Sequence, residues 1–416
     1  MSETRRPTRL LFVTYEGWPT FRADVSTLFG KYLCQMGVCS DLVAERTEAD
    51  PPAWPGGMAL LCPSMASRAR HHVIKFLHNV RTLLTTRKEQ YTAIQVRDLP
   101  VSALIGLLAA RWKGLRFFYW MSFPIPESSI LRAKARGPQA GFKYWFPLLH
   151  GHLGKWLLYH IVLPRADHVF VQTEQMKNEV VATGIQAERM TAVPMGVDLE
   201  LAQPDKVIPS DDPRLSGRRV LVYLGTLDRA RRIDILFEML TILRKNVSNV
   251  LLVLVGDTED DEYRSWLKNQ AQLHNVEDLL IWTGWLPMHE GWRYVRAAEI
   301  GLSPIPRSPL LDVGSPTKVL EYLALGIPVV GNDNPDQKQV ITESGCGICT
   351  PLTARDFAMA VQEILANPDV WATLGNSGRR YVSEHRDYKT IARRLAGLYG
   401  HIFDPEVSTP LSEDLA

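Results

Sequence analysis

The sequence predicts a two-domain α/β protein with parallel sheets, on three grounds. Short apolar runs of strand length alternate with stretches of helical spacing, from residues 10–14 and 25–36 onward. Several runs end in glycine or in charge, as at Arg97-Asp98, Gly225 and Gly256, and the carboxyl ends of parallel strands are where α/β sheets hold ligands. Finally, 416 residues with 46% hydrophobic content exceed one ordinary core, and the polar, proline-rich stretch 203–218 offers a linker. The first domain is therefore placed at 1–198 and the second at 199–387, followed by a helix at 388–403 and a mobile tail at 404–416.

Composition excludes some classes of function. Net charge is only +2 with a pI near 8.2, so no overall field points to nucleic acid. Five cysteines (Cys34, Cys39, Cys62, Cys346 and Cys349) at irregular spacing argue against a disulfide scaffold and for a reducing compartment. Cys346-Gly347-Ile348-Cys349 has the spacing of a metal or redox pair, yet no second pair or nearby histidine completes a zinc site, and core-lining thiols are the expectation. The apolar run after the basic N-terminus is too short for a signal peptide, and no run reaches the ~20 apolar residues of a membrane span. A cytoplasmic protein is expected.

Taken in order, residues 10–14 form a strand, 15–19 a loop containing Gly17, and 25–36 a helix. Residues 51–72 read as a Pro, Gly and Ser-rich loop ending in the basic stretch 68–72, either a solvated face or a site for a phosphate-bearing acceptor. The strand 94–98 ends in Arg97 and Asp98, which either contact an acceptor or form an internal ion pair. After the strand 116–120, Glu127 either receives the proton of an acceptor hydroxyl or caps a helix starting at Ser128. Residues 142–163 interleave Phe142, Tyr144, Trp145, Phe146, Trp156 and Tyr159 with lysines and histidines. Rings with polar edges and snorkelling lysines suit a membrane surface, although Pro147, Gly151 and Gly154 interrupt any single amphipathic helix; buried helices are the other reading. A strand and a helix capped by Thr173 lead to 191–198, where the chain leaves the domain.

In the second domain, the strand 219–224 is followed by Gly225, Thr226 and a helix start crowded by Arg229, Arg231 and Arg232, a phosphate site or a solvated basic turn. The buried strand 249–255 ends at Gly256, which lets backbone approach a ligand. A further strand, 281–284, precedes Trp285 and Leu286. Residues 315–331 organise the rest: a turn precedes them because Gly314 allows positive φ, Pro316 is expected to open a helix, and Lys318 to add charge to its positive end. One turn on, Glu321 can accept from a ribose diol. Gly326 ends the helix, residues 327–330 form a strand, and helices at 354–366 and 368–382 follow.

Glu321 together with Ala324-Leu325-Gly326-Ile327-Pro328-Val329-Val330 closely resembles the donor-binding signature of family 4 retaining glycosyltransferases. Val193-Pro194-Met195-Gly196-Val197-Asp198 resembles that family's V-P-x-G-V-D hinge, and 225–236 resembles its G-R-L-x-x-x-K-G-x-D-x-L, with Arg231 in place of the lysine and Thr226 in place of the arginine. The second acid expected eight positions before Glu321 is replaced by Val313, with Asp312 adjacent, and Ser122 lies where many members carry a pocket histidine.

The resemblance implies a GT-B fold: two Rossmann-like domains facing an inter-domain cleft, with the helix 388–403 crossing back to the first. It implies a retaining transferase that takes its sugar from a UDP- or GDP-linked donor, used as substrate with no cofactor. No Asp-x-Asp triplet occurs, so no metal is expected, and a same-face route in which the leaving phosphate accepts the incoming hydroxyl's proton would explain why no obvious protein nucleophile appears. The catalytic residues implied are Arg231, Lys318 and Glu321. Donor contacts fall to Gly17, Gly225, Thr226, Arg229, Gly256, Trp285, Leu286, Asp312, Gly314, Ser315, Pro316 and Thr317, and acceptor contacts to Arg97, Asp98 and Glu127. The acceptor is expected to be a saccharide, lipid-linked if 142–163 meets the inner face of the membrane, in surface-polysaccharide or glycolipid synthesis. An epimerase-like GT-B enzyme and a noncatalytic partner subunit, suggested by Val313 and Thr226, are the alternatives; no G-x-G-x-x-G supports a dinucleotide oxidoreductase.

Overall fold

The strands of the computed structural model, which describes residues 8–63 and 68–404, pair in parallel. They belong to two units, Met1–Met195 with Tyr388–Ala416, and Gly196–Asp387.

The first unit holds β1 (Thr8–Trp18), β2 (Val38–Arg46), β3 (Ala59–Cys62), β4 (Ala93–Arg97), β5 (Arg116–Met121), β6 (His168–Val171) and β7 (Met190–Ala192), in the order β3-β2-β1-β4-β5-β6-β7. Leu10, Leu11, Phe12 and Val13 of the central β1 are fully buried, as a parallel strand covered on both faces requires. The connecting helices are α1 (Arg68–Thr85), α2 (Pro100–Lys113), α3 (Ile125–Arg136), α4 (Phe142–Leu157), the single turn α5 (Leu163–Arg165) and α6 (Glu174–Val181). A π-type helix, Asp24–Leu33, covers part of one face of this sheet. Thr173 caps α6 by accepting from the Met176 amide at 3.1 Å.

Several expectations need correction here. The stretch 51–72 is not one loop: it contains β3 and the start of α1, and Trp54 is buried, donating to the Ser40 carbonyl at 2.7 Å. Residues 64–67, and the side chains of Arg68, Ala69 and His71 in the basic stretch, lie outside the described residues, as does the tail beyond Asp404. Cys34 and Cys39 form a disulfide, because the turn through Gly37, at φ +85°, brings the end of the π-type helix beside β2. Pro147 does not break the aromatic segment. The Lys143 carbonyl, deprived of the residue-147 amide, accepts from Arg136 Nη1 at 3.5 Å, and α4 runs on into a π-type turn at Leu158–Val162. Gly151 faces inward, where a Cβ would lie 2.7 Å from Ile130 Cγ1.

The second unit holds β8 (Arg219–Leu224), β9 (Val250–Val255), β10 (Leu280–Gly284), β11 (Ile300–Ser303), β12 (Val329–Gly331) and β13 (Gly347–Cys349), in the order β10-β9-β8-β11-β12-β13. Its helices are α7 (Ile235–Leu243), α8 (Asp261–Leu273), α9 (Met288–Arg296), α10 (Pro309–Asp312), α11 (Thr317–Ala324), α12 (Pro335–Ser344), α13 (Ala354–Ala366) and α14 (Pro368–Tyr381). The chain then enters α15 (Tyr388–Phe403), whose Tyr388, Leu395 and Tyr399 join the first unit's core.

In both sheets the strand order reverses, between β1 and β4 in one and between β8 and β11 in the other. Ligands settle in the crevice above such a switch point. In the second unit β8 and β11 pair only at Ile300↔Leu221 and Gly301↔Val222, and the Tyr322 hydroxyl fills the gap beyond. It accepts from the Leu224 amide at 2.8 Å and donates to the Leu302 carbonyl at 3.3 Å. A Cβ on Gly301 would stand 2.3 Å from the Tyr322 ring. Gly301→Ala is therefore expected to cost about 1–3 kcal/mol by overpacking, read as a lower urea midpoint for the second unit; an unchanged midpoint would contradict this packing.

Candidate functional site

Three glycines form a ledge along the carboxyl ends of β8, β9 and β10: Gly225 at φ +127°, Gly256 at φ +134° and Gly284 at φ +70°. A Cβ on Gly256 would lie 2.3 Å from the Gly225 carbonyl oxygen, so the two strand ends approach as only glycine allows. Lys318, from the first turn of α11, reaches this ledge. Its Nζ stands 3.7 Å from the centroid of the Tyr223 ring and 3.6 Å from where a Gly225 Cβ would be, and the residue is 8% exposed. Burial holds the Lys318 ammonium well below its ordinary pKa, and the nearby Arg231 charge pushes it the same way; Glu321 only partly offsets them.

The three arginines after Thr226 differ in their partners. Arg229 pairs with Asp260 at 3.3 Å and stacks over Tyr263, while Arg232 pairs with Asp234 at 3.0 Å. Arg231 has no ion pair among the described residues. Arg231 and Lys318 thus lie near one another with no acid to balance them fully, so a second positive charge there is costly unless an anion arrives. Thr226 is exposed, and its carbonyl accepts from the Tyr223 hydroxyl at 3.0 Å.

Glu321 lies one turn beyond Lys318. Its Oε1 accepts from Trp292 Nε1 at 3.2 Å, and burial raises its pKa against the pull of that bond and of Lys318. Trp292, on α9 and 2% exposed, is a positioning partner that sequence reasoning missed; it lies 29 residues away on a helix that packs on β8 and β9, and only the fold joins the pair.

The loop before α11 is fixed from below. Ser315 Oγ donates to Asp336 Oδ2 at 2.7 Å, and the other oxygen of Asp336 accepts from the buried Arg386 at 2.8 Å. Asn332 brackets the Ile305 backbone with two 2.7 Å hydrogen bonds. Asp312 accepts from Arg307 Nε at 2.9 Å and from the Ser308 amide at 3.2 Å, so it braces α10, and Val313 beside it is buried. Pro316 is the N-cap of α11 rather than its first residue, and Thr317 begins the helix. Gly314 does not take positive φ; its amide closes an ordinary turn on the Leu311 carbonyl at 3.2 Å. Trp285 is 56% exposed past the ledge, and Leu286 is half-buried.

In the first unit, Gly17 lies within β1, which runs on to Trp18 through most of the stretch 15–19 expected as a loop, and a Cβ there would meet Thr47 Cγ2 at 2.2 Å, a local packing reason for glycine. Arg97 and Asp98 form the internal network rather than an open contact. Arg97, 1% exposed, donates to Asp24 Oδ2 at 2.8 Å and to Glu16 Oε1 at 3.0 Å, bracing the segment after β1. Asp98, at φ +57°, accepts from the Ser122 hydroxyl and amide, and burial pushes its carboxyl up. Glu127 does not cap a helix at Ser128: α3 starts earlier, at Ile125, and Glu127 in its first turn pairs with Lys155 at 3.3 Å.

Two units with parallel sheets, the second carrying incompletely balanced positive charge over a glycine ledge beside its switch point, have the architecture of the GT-B class. Sucrose-phosphate synthase of Thermosynechococcus elongatus shares the fold at a TM-score of 0.69 and 19% identity, over 96% of this chain and 100% of that one. The family model "Glycosyl transferases group 1" matches residues 207–381, and "Glycosyl transferase 4-like domain" matches 26–196. The chain belongs to glycosyltransferase family 4. Among its relatives is the GDP-mannose-dependent alpha-(1-6)-phosphatidylinositol monomannoside mannosyltransferase of Mycobacterium tuberculosis, 26% identical over 67% of this chain and 74% of that protein. Another is the alpha-monoglucosyldiacylglycerol synthase of Streptococcus pneumoniae, 26% identical over 49% of this chain and 46% of that protein.

Proposed function

We propose that this glycosyltransferase retains anomeric configuration, needs no metal, takes its sugar from a UDP- or GDP-linked donor and passes it to a lipid-linked saccharide in glycolipid or surface-polysaccharide synthesis. The observation that carries the reading is the convergence of Arg231 and Lys318, incompletely balanced, beside Gly225. Breaking the anomeric bond puts negative charge on the departing diphosphate, and Arg231 together with Lys318, protonated once the diphosphate is bound, lowers the barrier at that atom in a partly dry site. Arg231 and Lys318 bind the diphosphate, with the amides at the start of α11 as further donors. Glu321 accepts from the ribose hydroxyls while Trp292 fixes its rotamer. The bond from the anomeric carbon to the phosphate oxygen breaks, that oxygen takes the acceptor hydroxyl's proton, and the acceptor oxygen bonds the same face of the sugar.

The mycobacterial relative, named for GDP-mannose and a phosphatidylinositol mannoside, makes GDP-mannose the first donor to test and supports a lipid-linked acceptor. Residues 142–163 then meet the inner membrane surface as a peripheral contact; among the described residues no helix is long and apolar enough to cross a bilayer. A thermal-shift screen of UDP, GDP, ADP and their sugar conjugates tests the donor site. One nucleoside diphosphate at a hundredfold excess over its Kd is expected to raise the melting temperature by roughly 5 °C or more. No shift with any of them would contradict the proposal.

A further inference from the structure

More than half of the large hydrophobic side chains exposed among the described residues sit on α1, α2, α3 and α4 of the first unit. On α4, Trp145, Leu149, Leu153 and Trp156 recur at helical spacing on the outward side, while the inward side is Gly151, Gly154 and Leu157. The helix therefore docks on its neighbours through glycine and keeps its apolar stripe in solvent, the reverse of an ordinary surface helix. The feature does not stop at α4. Next to it α2 exposes Leu108 and, at 77%, Trp112, and α1 beyond exposes Phe76 and Leu77.

The charge on this layer is one-sided. From Ser128 to Ala166 the chain carries Arg132, Lys134, Arg136, Lys143, Lys155 and Arg165 and no Asp or Glu. Among the described residues, Lys155 alone of these faces a carboxylate in an ion pair, that of Glu127. Such a surface repels a second copy of itself and attracts an anionic bilayer, whose boundary layer suits tryptophan and lysine together.

We propose that the outer faces of α1, α2 and α4 form one docking surface for an anionic lipid bilayer, with Leu108 and Trp112 of α2 entering the membrane beside the aromatic segment. The inference rests on the lipid-acceptor reading for its purpose, but vesicle binding is measured without donor or acceptor, so either can fail alone.

Flotation of the full chain with phosphatidylcholine vesicles, with and without phosphatidylglycerol, is the test. The protein is expected to float with the anionic vesicles and much less with the neutral ones. Leu108→Ser with Trp112→Ser, and separately Trp145→Ser with Trp156→Ser, are each expected to weaken partition roughly tenfold or more. All four are exposed side chains, so circular dichroism and the nucleotide-induced thermal shift should stay at wild-type values. Partition unchanged by the α2 pair would overturn the proposal, since the surface would then end at α4. So would equal binding to neutral vesicles, or a dimer in solution that the α2 pair converts to monomer.

Discussion

Lys318→Met is expected to lower sugar transfer by roughly two to three orders of magnitude while leaving the protein as stable as before, or more so. The two effects share one cause. The ammonium is buried over Tyr223 near another cation, so its folded pKa is lowered. Between that value and the ordinary 10.5, the unfolded chain holds a proton that the folded chain has lost, and stability rises with pH across the window. Methionine keeps the stem's packing and removes the charge that burial makes costly. A bound diphosphate has the opposite effect to Arg231: it raises the Lys318 pKa, so donor binding takes up a proton and weakens as pH rises through the free-state value. Steady-state rates with melting curves check the pair of outcomes. A loss of activity accompanied by an equal loss of stability would mean that Lys318 merely holds the fold.

Glu321→Ala comes second, with an expected loss of roughly a hundredfold in kcat/KM, mostly through the donor's KM, because two hydrogen bonds to a charged acceptor disappear. The carboxylate must be ionised to accept both. Since burial raises its pKa, donor binding should fall as pH drops through that raised value. Trp292→Phe sharpens the point: it keeps an aromatic ring but removes the donor that pulls the Glu321 pKa down. The acid limb of donor affinity should then move to higher pH, with roughly tenfold weaker binding at neutral pH. A limb that stays in place would show that the indole only fills space.

What the sequence disclosed here was local. The glycines after β8 and β9, the helix that Gly326 ends, and the one-turn spacing of Lys318 and Glu321 all lie within a few residues of the signals that announce them. What it withheld depends on distant partners. Arg97 could not be assigned between an acceptor contact and an ion pair, because Glu16 and Asp24 lie 81 and 73 residues earlier. Arg231 was named from its place in the motif, but that its neighbours Arg229 and Arg232 are engaged by Asp260 and Asp234 could not be read from the spacing. Pro147 read as a helix breaker because the guanidinium that compensates its missing amide belongs to α3. The disulfide escaped notice because an odd cysteine count says nothing about a turn at Gly37 that joins two of the five.

The most direct test of the paired-cation site is calorimetric titration of GDP and UDP into the wild-type chain, Arg231→Met and Lys318→Met. The account predicts that each substitution weakens the preferred nucleoside diphosphate by roughly tenfold or more, that the corresponding nucleoside binds all three alike, and that proton uptake on binding vanishes with Lys318. Equal diphosphate affinity in all three proteins would contradict it.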